Sequence, residues 1–172
     1  YNNVYMTGET YSNSAISTSG AYQQTRGGGG DAFLVKFNSN GARQWGTYYG
    51  GSNDDWGNNL AIDYYDNLYI VGLTYSENAI ASSGAHQTTF GGYYDAFLVK
   101  FNSSGQRQWG TYYGGTQYDF GYGVTVDQDG YIYISGETTS DNAISTNDAY
   151  QSDRGGDYDA FITKFDANGT RE

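Results

Sequence analysis

The sequence predicts an all-β fold made of tandem four-stranded antiparallel sheets, and two observations carry that prediction. The first is an internal repeat, because residues 1–64 align with residues 65–128 without a gap and share 38 of 64 residues. The segment DAFLVKFN occurs at 31–38 and 95–102, and DAFITKFD follows at 159–166. The second is that each repeat contains short runs of aromatic and β-branched residues bounded by Gly, Asn and Asp, which are typical of strands.

Each repeat is predicted to hold four strands, A to D, joined in two different ways. In the complete repeat, strand A covers about 57–63, strand B 67–74, strand C 95–101 and strand D 106–113. Short polar turns such as DQDG and NSSG join A to B and C to D, and they suit hairpins. About twenty polar residues separate B from C, and we expect so long a segment to run over the surface.

Tandem units of four antiparallel strands predict β-propeller-type blades. In strand C, Phe33, Val35 and Phe37 alternate with Ala32 and Leu34, so both faces of the strand are apolar. Such a strand is expected in a sheet that packs between two neighbouring sheets. A right-handed β-solenoid is the main alternative, but its coils repeat at roughly 20–30 residues.

The ten predicted strands correspond to about 2.7 blades of four strands each. Residues 1–50 hold strands B, C and D of a partial blade, residues 51–114 a complete blade, and residues 115–172 strands A, B and C of another partial blade. Closed propellers have at least about four blades, and open terminal blades expose apolar faces. We therefore expect a segment of a longer propeller, or a subunit of an assembly that completes one. The initial Tyr1 likewise suggests a processed or excised piece.

Composition and charge limit the classes of partner. The chain has 26 Gly, 20 Tyr, no Pro and no Cys, and its net charge is −11. Nucleic-acid binding is excluded, because a phosphate backbone requires clustered Lys and Arg and only 8 are present. Membrane insertion is not expected, since no apolar run is long enough for a span, and no signal peptide is expected in these residues.

The order of the motifs resembles a known repeat family. GYGVTVDQDGYIYISGET at 121–138 and GAHQTTFGGYYDAFLVKFNSSGQRQWGTYYGG at 84–115 are similar to the SBBP β-propeller repeat. That family is found in large bacterial secreted and cell-surface proteins, so the resemblance implies an extracellular or bacterial cell-surface location. It implies no catalytic residue set. Related repeats commonly carry prolines in the long loop, where this chain reads SAISTSGAYQ at 14–23.

No catalytic residue is predicted. His86 is the only histidine, and the same position holds Tyr22 and Tyr150 in the other repeats, which favours a packing role. Without a second His or any Cys, nucleophilic triads and His-rich metal sites are unavailable. Asp54 and Asp55 could form the carboxyl pair of a glycosidase, but Tyr replaces Asp54 in the next repeat, and a solvated turn is the favoured interpretation.

The turns between strands A and B carry candidate calcium ligands. DYYDN at 63–67 and DQDG at 127–130 place carboxylates beside the turn backbone, and Ca²⁺ prefers such hard oxygen ligands. Neither turn completes an EF-hand loop, and an Asp at a turn can simply accept backbone N–H bonds. Turn capping is favoured and calcium is the alternative. No other cofactor is predicted, and the candidate ligands are Asp63, Asp66, Asp127 and Asp129.

Residues that repeat identically are interpreted as architecture. Trp45 and Trp109 lie in strand D, and their repetition favours packing between blades over an exposed platform for sugars. The Asp that begins strand C and the Lys five residues later are interpreted as polar contacts made once per blade. These residues are Asp31, Asp95, Asp159, Lys36, Lys100 and Lys164.

The long B–C loops differ between repeats and are the predicted recognition surface. The residues that differ are Arg26, Phe90, Arg154, and Tyr93 and Tyr94 in place of Gly29 and Gly30. The predicted function is a non-enzymatic extracellular scaffold that binds protein or glycan in an adhesion-like role. A structural subunit that polymerises through open blade ends is the alternative, and a glycan-active hydrolase or lyase is the least favoured. Further blades of the same or a neighbouring chain are the expected partners.

Overall fold

The computed structural model describes residues 3–172, in which ten strands and no helix occur. Tyr1 and Asn2, with which the predicted first blade begins, lie outside the described residues. The strands are β1 (Val4–Thr10), β2 (Asp31–Phe37), β3 (Arg43–Tyr49), β4 (Asp55–Ile62), β5 (Leu68–Thr74), β6 (Asp95–Phe101), β7 (Arg107–Tyr113), β8 (Asp119–Val126), β9 (Ile132–Thr138) and β10 (Asp159–Phe165).

These strands form three antiparallel sheets, which we call blades 1, 2 and 3. Their strand orders are β1-β2-β3, β4-β5-β6-β7 and β8-β9-β10. Strand A of blade 2 begins at Asp55, two residues before the predicted start, because Asp55 still pairs with Thr74 of strand B. The all-β prediction of four-stranded repeat units, open at both ends, is confirmed.

Each blade sends its connections to two opposite ends, because successive antiparallel strands reverse direction. In blade 2 the A–B turn at 63–67 and the C–D turn at 102–106 lie at one end. The B–C loop at 75–94 and the D–A connection at 114–118 lie at the other, which we call the loop end. The variable B–C loops are therefore gathered on one side of the molecule.

Two hydrophobic cores lie between neighbouring blades, at what we call junction 1/2 and junction 2/3. Strand β6 contributes to both, since Phe97 and Val99 face junction 1/2 while Ala96 and Leu98 face junction 2/3. All four side chains are fully buried. The apolar character of both faces of strand C therefore has the predicted cause, which is a blade packed between two others.

Strand D residues fasten each blade to the next. The Tyr49 hydroxyl donates to the Ile80 carbonyl over 2.7 Å, and the Trp45 indole N–H donates to the Ser103 carbonyl over 3.2 Å. Junction 2/3 repeats both bonds, from Tyr113 to Ile144 (2.7 Å) and from Trp109 to Ala167 (3.1 Å). The rings and their polar atoms thus serve the contact between blades.

The stack is open at both ends. Met6 of blade 1 is 49% exposed, whereas its equivalent in blade 2, Ile70, is fully buried. Ile162 of blade 3 is 75% exposed, whereas its equivalent, Leu98, is fully buried. The arrangement is that of an incomplete propeller whose terminal faces suit further blades. Among residues 3–172 no helix could span a membrane.

Candidate functional site

The loop end at junction 2/3 carries a row of four aromatic side chains, Tyr93, Tyr118, Phe120 and Tyr122, which we call the aromatic row. The ring centroids of Tyr93 and Tyr118 are 5.1 Å apart with the planes 16° from parallel. The next two separations are 6.3 Å at 9° and 6.2 Å at 4°. Four nearly parallel rings are therefore stacked one after another.

Strand periodicity and a bulge produce this alignment. Tyr118 immediately precedes β8, and Phe120 and Tyr122 follow at alternate positions, where residues of an extended chain share one face. Tyr122 is the extra residue of a bulge between Gly121 and Gly123, and bulges redirect side chains. The Tyr122 hydroxyl donates to Glu137 Oε1 over 2.8 Å. Burial and this bond raise the pKa of Tyr122 to about 12, so the phenol is neutral at physiological pH.

The B–C loop of blade 2 brings Tyr93 to the end of the row. The backbone N–H of Tyr93 donates to the Gln117 carbonyl over 3.0 Å, and that of Asp119 donates to the Tyr94 carbonyl over 2.8 Å. The Tyr94 ring lies behind the row, 5.7 Å from Tyr118. Tyr93, Tyr118 and Tyr122 are 53%, 37% and 49% exposed, so the row faces solvent on a supported backbone.

The same positions at junction 1/2 hold no such row. Gly29, Asp54, Trp56 and Asn58 stand where Tyr93, Tyr118, Phe120 and Tyr122 stand at junction 2/3. The Asp54 carboxylate accepts a hydrogen bond from the Gly30 N–H over 2.5 Å. A Cβ added to Gly29 would lie 2.1 Å from Asp54 Oδ1. A side chain at position 29 would therefore displace this carboxylate from the Gly30 N–H, which agrees with the joint change of the two positions in the next repeat.

The predicted recognition residues of blade 2 lie in the aromatic row or in ring contacts near it. Tyr93 belongs to the row, Tyr94 supports it, and the Phe90 ring packs edge-on against Tyr75 at 6.4 Å and Tyr112 at 6.0 Å. The sequence comparison of loops missed Tyr118, Phe120 and Tyr122, because they lie in the D–A connection and strand A. The change from Asp54 and Asn58 to tyrosines in the next repeat was the available signal.

Arg26 and Arg154, the other predicted recognition residues, contact their own loops instead. The Arg26 Nε–H donates to Asn13 Oδ1 over 3.0 Å. Arg154 makes the equivalent bond to Asp141 Oδ1 over 2.9 Å, which is also an ion pair. Each guanidinium further donates to a carbonyl in its own glycine-rich segment. In blade 2 the equivalent residue is Phe90, which packs its ring against Tyr75 and Tyr112 and makes no such polar contact.

A pair of buried carboxyl groups lies at the loop end of each junction. At junction 1/2 the pair is Asp31 and Asp55, at junction 2/3 it is Asp95 and Asp119, and all four are fully buried. A Cβ added to Gly114, which separates the second pair, would lie 2.7 Å from Asp95 Oδ1 and 2.9 Å from Asp119 Oδ2. Only glycine leaves room for two carboxyl groups at this place.

Burial dominates the protonation of these groups. It raises the pKa of Asp55 and of Asp95 to about 7, and in each the charge of the neighbouring carboxylate adds to the effect. The pKa values of Asp31 and Asp119 are also raised by burial. Oδ1 of Asp31 and of Asp95 has no hydrogen-bond partner among residues 3–172. The folded chain therefore holds protons on these carboxyl groups more tightly than the unfolded chain does.

Asp54 and Asp55 point to different surroundings, and their interpretation as a solvated turn is wrong for Asp55. Asp55 accepts hydrogen bonds from the Gly51 N–H (2.8 Å) and the Ser76 hydroxyl (2.9 Å) inside the junction.

His86 is partly exposed, with its ring centroid 5.7 Å from that of Phe165 and 6.2 Å from that of Tyr113. Burial lowers its pKa. The contacts of its ring are those of a packing residue.

The candidate calcium residues lie at the end of the blades opposite the aromatic row. Asp63 Oδ1 accepts from the N–H groups of Tyr65 and Asn67, and Oδ2 accepts from the Asn67 amide and the Tyr69 hydroxyl. Asp127 repeats the two backbone bonds and accepts from the Tyr133 hydroxyl. These hydrogen bonds lower the pKa of both groups.

Asp66 and Asp129, the other two candidate calcium ligands, do not form a metal-binding cluster with Asp63 and Asp127. Asp66 occupies the position of the turn with φ +61°, and Asp129 contributes its N–H to the Asp127 carboxylate. Across the described chain, no three His, Cys, Asp or Glu side chains come together as metal ligands would. The hydrogen bonds are those of turn capping, and calcium binding stays a prediction.

The fold and the repeated junctions define an open β-propeller-type repeat protein. Residues 44–78 and 108–142 match the family described as SBBP, beta-propeller repeat. Each match begins in strand D, crosses a junction and ends after strand B of the next blade. These two segments match the SBBP β-propeller repeat, and the resemblance inferred from the motifs is confirmed there. No curated protein matches the chain.

Proposed function

We propose that the chain is a non-enzymatic scaffold of β-propeller blades that acts outside the cell, with its loop end binding protein or glycan. The observation that carries the proposal is the exposed aromatic row, which occurs at junction 2/3 and not at the equivalent place of junction 1/2. Identical positions in the two repeats build the frame. Binding is thus expected where the repeats differ.

The free energy of burial supports a division between residues that stabilise the junctions and residues that are free to bind a partner. Leu98, Tyr113 and the other junction residues are buried, and a buried side chain of this size contributes about 1.5–3 kcal/mol by leaving water. Tyr93, Tyr118 and Tyr122 remain 53%, 37% and 49% exposed, so part of each ring is still available for burial on binding. Rings of this kind are enriched at binding surfaces, because they bury a large area and lose little conformational entropy.

A binding role is better supported than a hydrolytic one. The paired carboxyl groups have no solvent-exposed surface, so a glycosidic bond has no access to them. The side chains of Asn58 and Tyr122 in strand A donate hydrogen bonds to the Gly121 carbonyl and to Glu137. The extracellular or cell-surface location rests on the bacterial proteins in which SBBP repeats are found.

A row-swap variant tests this function. Tyr93→Gly, Tyr118→Asp and Tyr122→Asn give junction 2/3 the residues that junction 1/2 already carries, so we expect the variant to fold. The matched control, Tyr64→Ala with Tyr65→Ala, removes two rings that are 95% and 80% exposed at the opposite end. On arrays of glycans and of proteins, we expect signals that the row swap removes and the control keeps. Equal signals from all three proteins would contradict the proposal.

Assembly through the open ends is a second candidate function, favoured by the exposed terminal faces. Met6 and Ile162 lie at positions that are fully buried inside the stack, at Ile70 and Leu98. A further blade, from the same or a neighbouring chain, would cover them as blade 2 is covered. Light scattering tests this, with concentration-dependent association expected and its loss in Ile162→Lys. A folded monomer at all concentrations would contradict it.

A further inference from the structure

We propose that a groove at the open edge of blade 3 binds an extended peptide segment with the order Trp-Gly-Thr-Tyr-Tyr, which completes this blade as its strand D. The occupant is such a segment of a further β-propeller repeat. The inference rests on the second candidate function, assembly through the open ends, and it names what one of those ends binds.

The edge of blade 3 that this segment would meet belongs to β10. Among residues 3–172, β10 pairs with β9 only, whereas β2 and β6 each pair with a strand on both sides. Arg171 begins the second side, because it bridges to Phe165 and donates to the Ile144 carbonyl. The register of a further strand is thereby set, and free strand edges bind extended peptides through backbone hydrogen bonds.

A groove of about 460 Å³ lies beside this edge, between β10 and the B–C loop of blade 3. The loop already has the hydrogen bonds of a filled groove. The Gln151 amide donates to Asp159 Oδ2 over 2.7 Å, and the Ala149 N–H donates to the Thr146 carbonyl over 3.1 Å. Blade 2, in which β7 fills the groove, has both bonds at the same positions, over 2.8 and 3.2 Å. Little ordering is therefore needed when a segment binds.

Blades 1 and 2 show how a strand D segment is held. Three hydrogen bonds hold the segment of blade 2, from the Ser82 N–H to the Gly110 carbonyl (2.8 Å), from the Gln87 N–H to the Thr111 hydroxyl (2.9 Å) and from the Tyr112 hydroxyl to the Ser76 carbonyl (2.9 Å). Blade 1 repeats them with residues 46–48 of β3, each over 2.9 Å. In blade 3 the three loop positions are Thr146, Gln151 and Ser140, which supply the same backbone groups.

The groove selects a glycine at the second position of the segment. A Cβ added to Gly46 would lie 2.3 Å from the Ile16 carbonyl oxygen, and one added to Gly110 would lie 2.6 Å from that of Ile80. Ile144 occupies this position in blade 3. An apolar strand without the glycine would therefore meet a backbone oxygen.

The two tyrosines of the segment have different surroundings. Tyr48 is fully buried although blade 1 has no neighbouring blade on that side, so its own blade covers it. Tyr49 instead points into junction 1/2, where its hydroxyl donates to the Ile80 carbonyl of blade 2. On blade 3 we expect the first tyrosine to be buried and the second to face solvent.

Titration calorimetry of the chain with the peptide WGTYYGG, a copy of residues 45–51, tests the proposal. We expect one peptide to bind per chain. Gly46→Val in the peptide should weaken binding at least about tenfold, because the added side chain meets the carbonyl. Tyr48→Ala should also weaken it more than about tenfold, since a buried ring is lost. Tyr49→Ala is the matched control and should stay within about twofold.

Extension of the chain after Glu172 by WGTYYGG gives a second measurement. The linked segment should fill the groove, raise the thermal midpoint and remove binding of the free peptide. An extension that carries Gly46→Val should do neither.

The outcomes separate this inference from assembly of the chain. Absence of peptide binding, or binding that Gly46→Val leaves unchanged, overturns the inference, while concentration-dependent association would still support assembly. Association that excess peptide abolishes would identify a second copy as the occupant and also overturns the inference. Selective peptide binding by a chain that stays monomeric supports the groove and contradicts self-association.

Discussion

The two junctions of the molecule share one frame and differ at one end. At both junctions, the hydroxyl of a strand D tyrosine donates a 2.7 Å hydrogen bond to a backbone carbonyl of the next blade. At both, a glycine also lies beside a pair of buried carboxyl groups. At the loop end, junction 1/2 presents Gly29 and Asp54, whereas junction 2/3 presents Tyr93 and Tyr118. The residues that are equal at the two junctions hold the blades together, and we propose that the residues that differ serve recognition.

The largest expected effect comes from the shared frame. Tyr49→Ala and Tyr113→Ala each remove a buried ring and its bond to the next blade, and each should lower the free energy of unfolding by about 3–5 kcal/mol. Urea denaturation measures both. Similar losses would support equivalent junctions, whereas a loss at one junction and none at the other would break the comparison.

The carboxyl pairs should make the stability fall as pH rises. The unfolded chain releases these protons near the ordinary pKa of 3.8, whereas folded Asp55 and Asp95 hold theirs to about pH 7. Between those values stability falls as pH rises, because unfolding releases a proton from each group. Stability present at acidic pH is therefore lost on the way to pH 7, and the thermal midpoint should be lower at pH 8 than at pH 5.

Neutral variants show whether the pairs cause this slope. Asp55→Asn and Asp95→Asn should each flatten it, because the amide does not titrate. Asp63→Asn is the control, since the pKa of Asp63 is lowered and its contribution changes only in stronger acid. A slope that survives in both amide variants would show that the pairs are not its source.

A smaller change in the free energy of unfolding is expected when junction 1/2 is given the tyrosines that junction 2/3 carries at the equivalent positions. Gly29→Tyr places a side chain against the Asp54 carboxylate and should cost about 1–3 kcal/mol. Adding Asp54→Tyr, as in the next repeat, should recover most of that loss. A double-mutant cycle in urea measures the coupling, and simple additivity would count against the explanation of why these positions differ together.

The smallest effect is expected from calcium. Asp63 and Asp127 already accept hydrogen bonds from their own turns, so millimolar calcium or a chelator should leave the thermal midpoint unchanged. A ligand that binds only the folded state would raise it. A rise that Asp127→Asn removes would favour the calcium interpretation of these turns.

The sequence allowed the frame to be predicted because local signals repeat in it. Alternation in DAFLVKF and the hairpin turns predicted the strands, and the fixed period placed the blades in order. The aromatic row was not predicted as a unit, because Tyr93 and Tyr118 lie on different connections and meet only after two blades have stacked. Asp55 was misread for a related reason, since burial depends on the neighbouring blade and not on the adjacent Asp54.

Hydrogen exchange with and without a ligand found on the arrays of glycans and of proteins tests the central claim most directly, because both junctions are observed in one experiment. We expect new protection in peptides covering residues 93–94 and 117–122, and none in the equivalent segments 29–30 and 53–58. Equal protection at the two junctions, or protection at 29–30 and 53–58 alone, would contradict a shared frame that carries its recognition surface at junction 2/3.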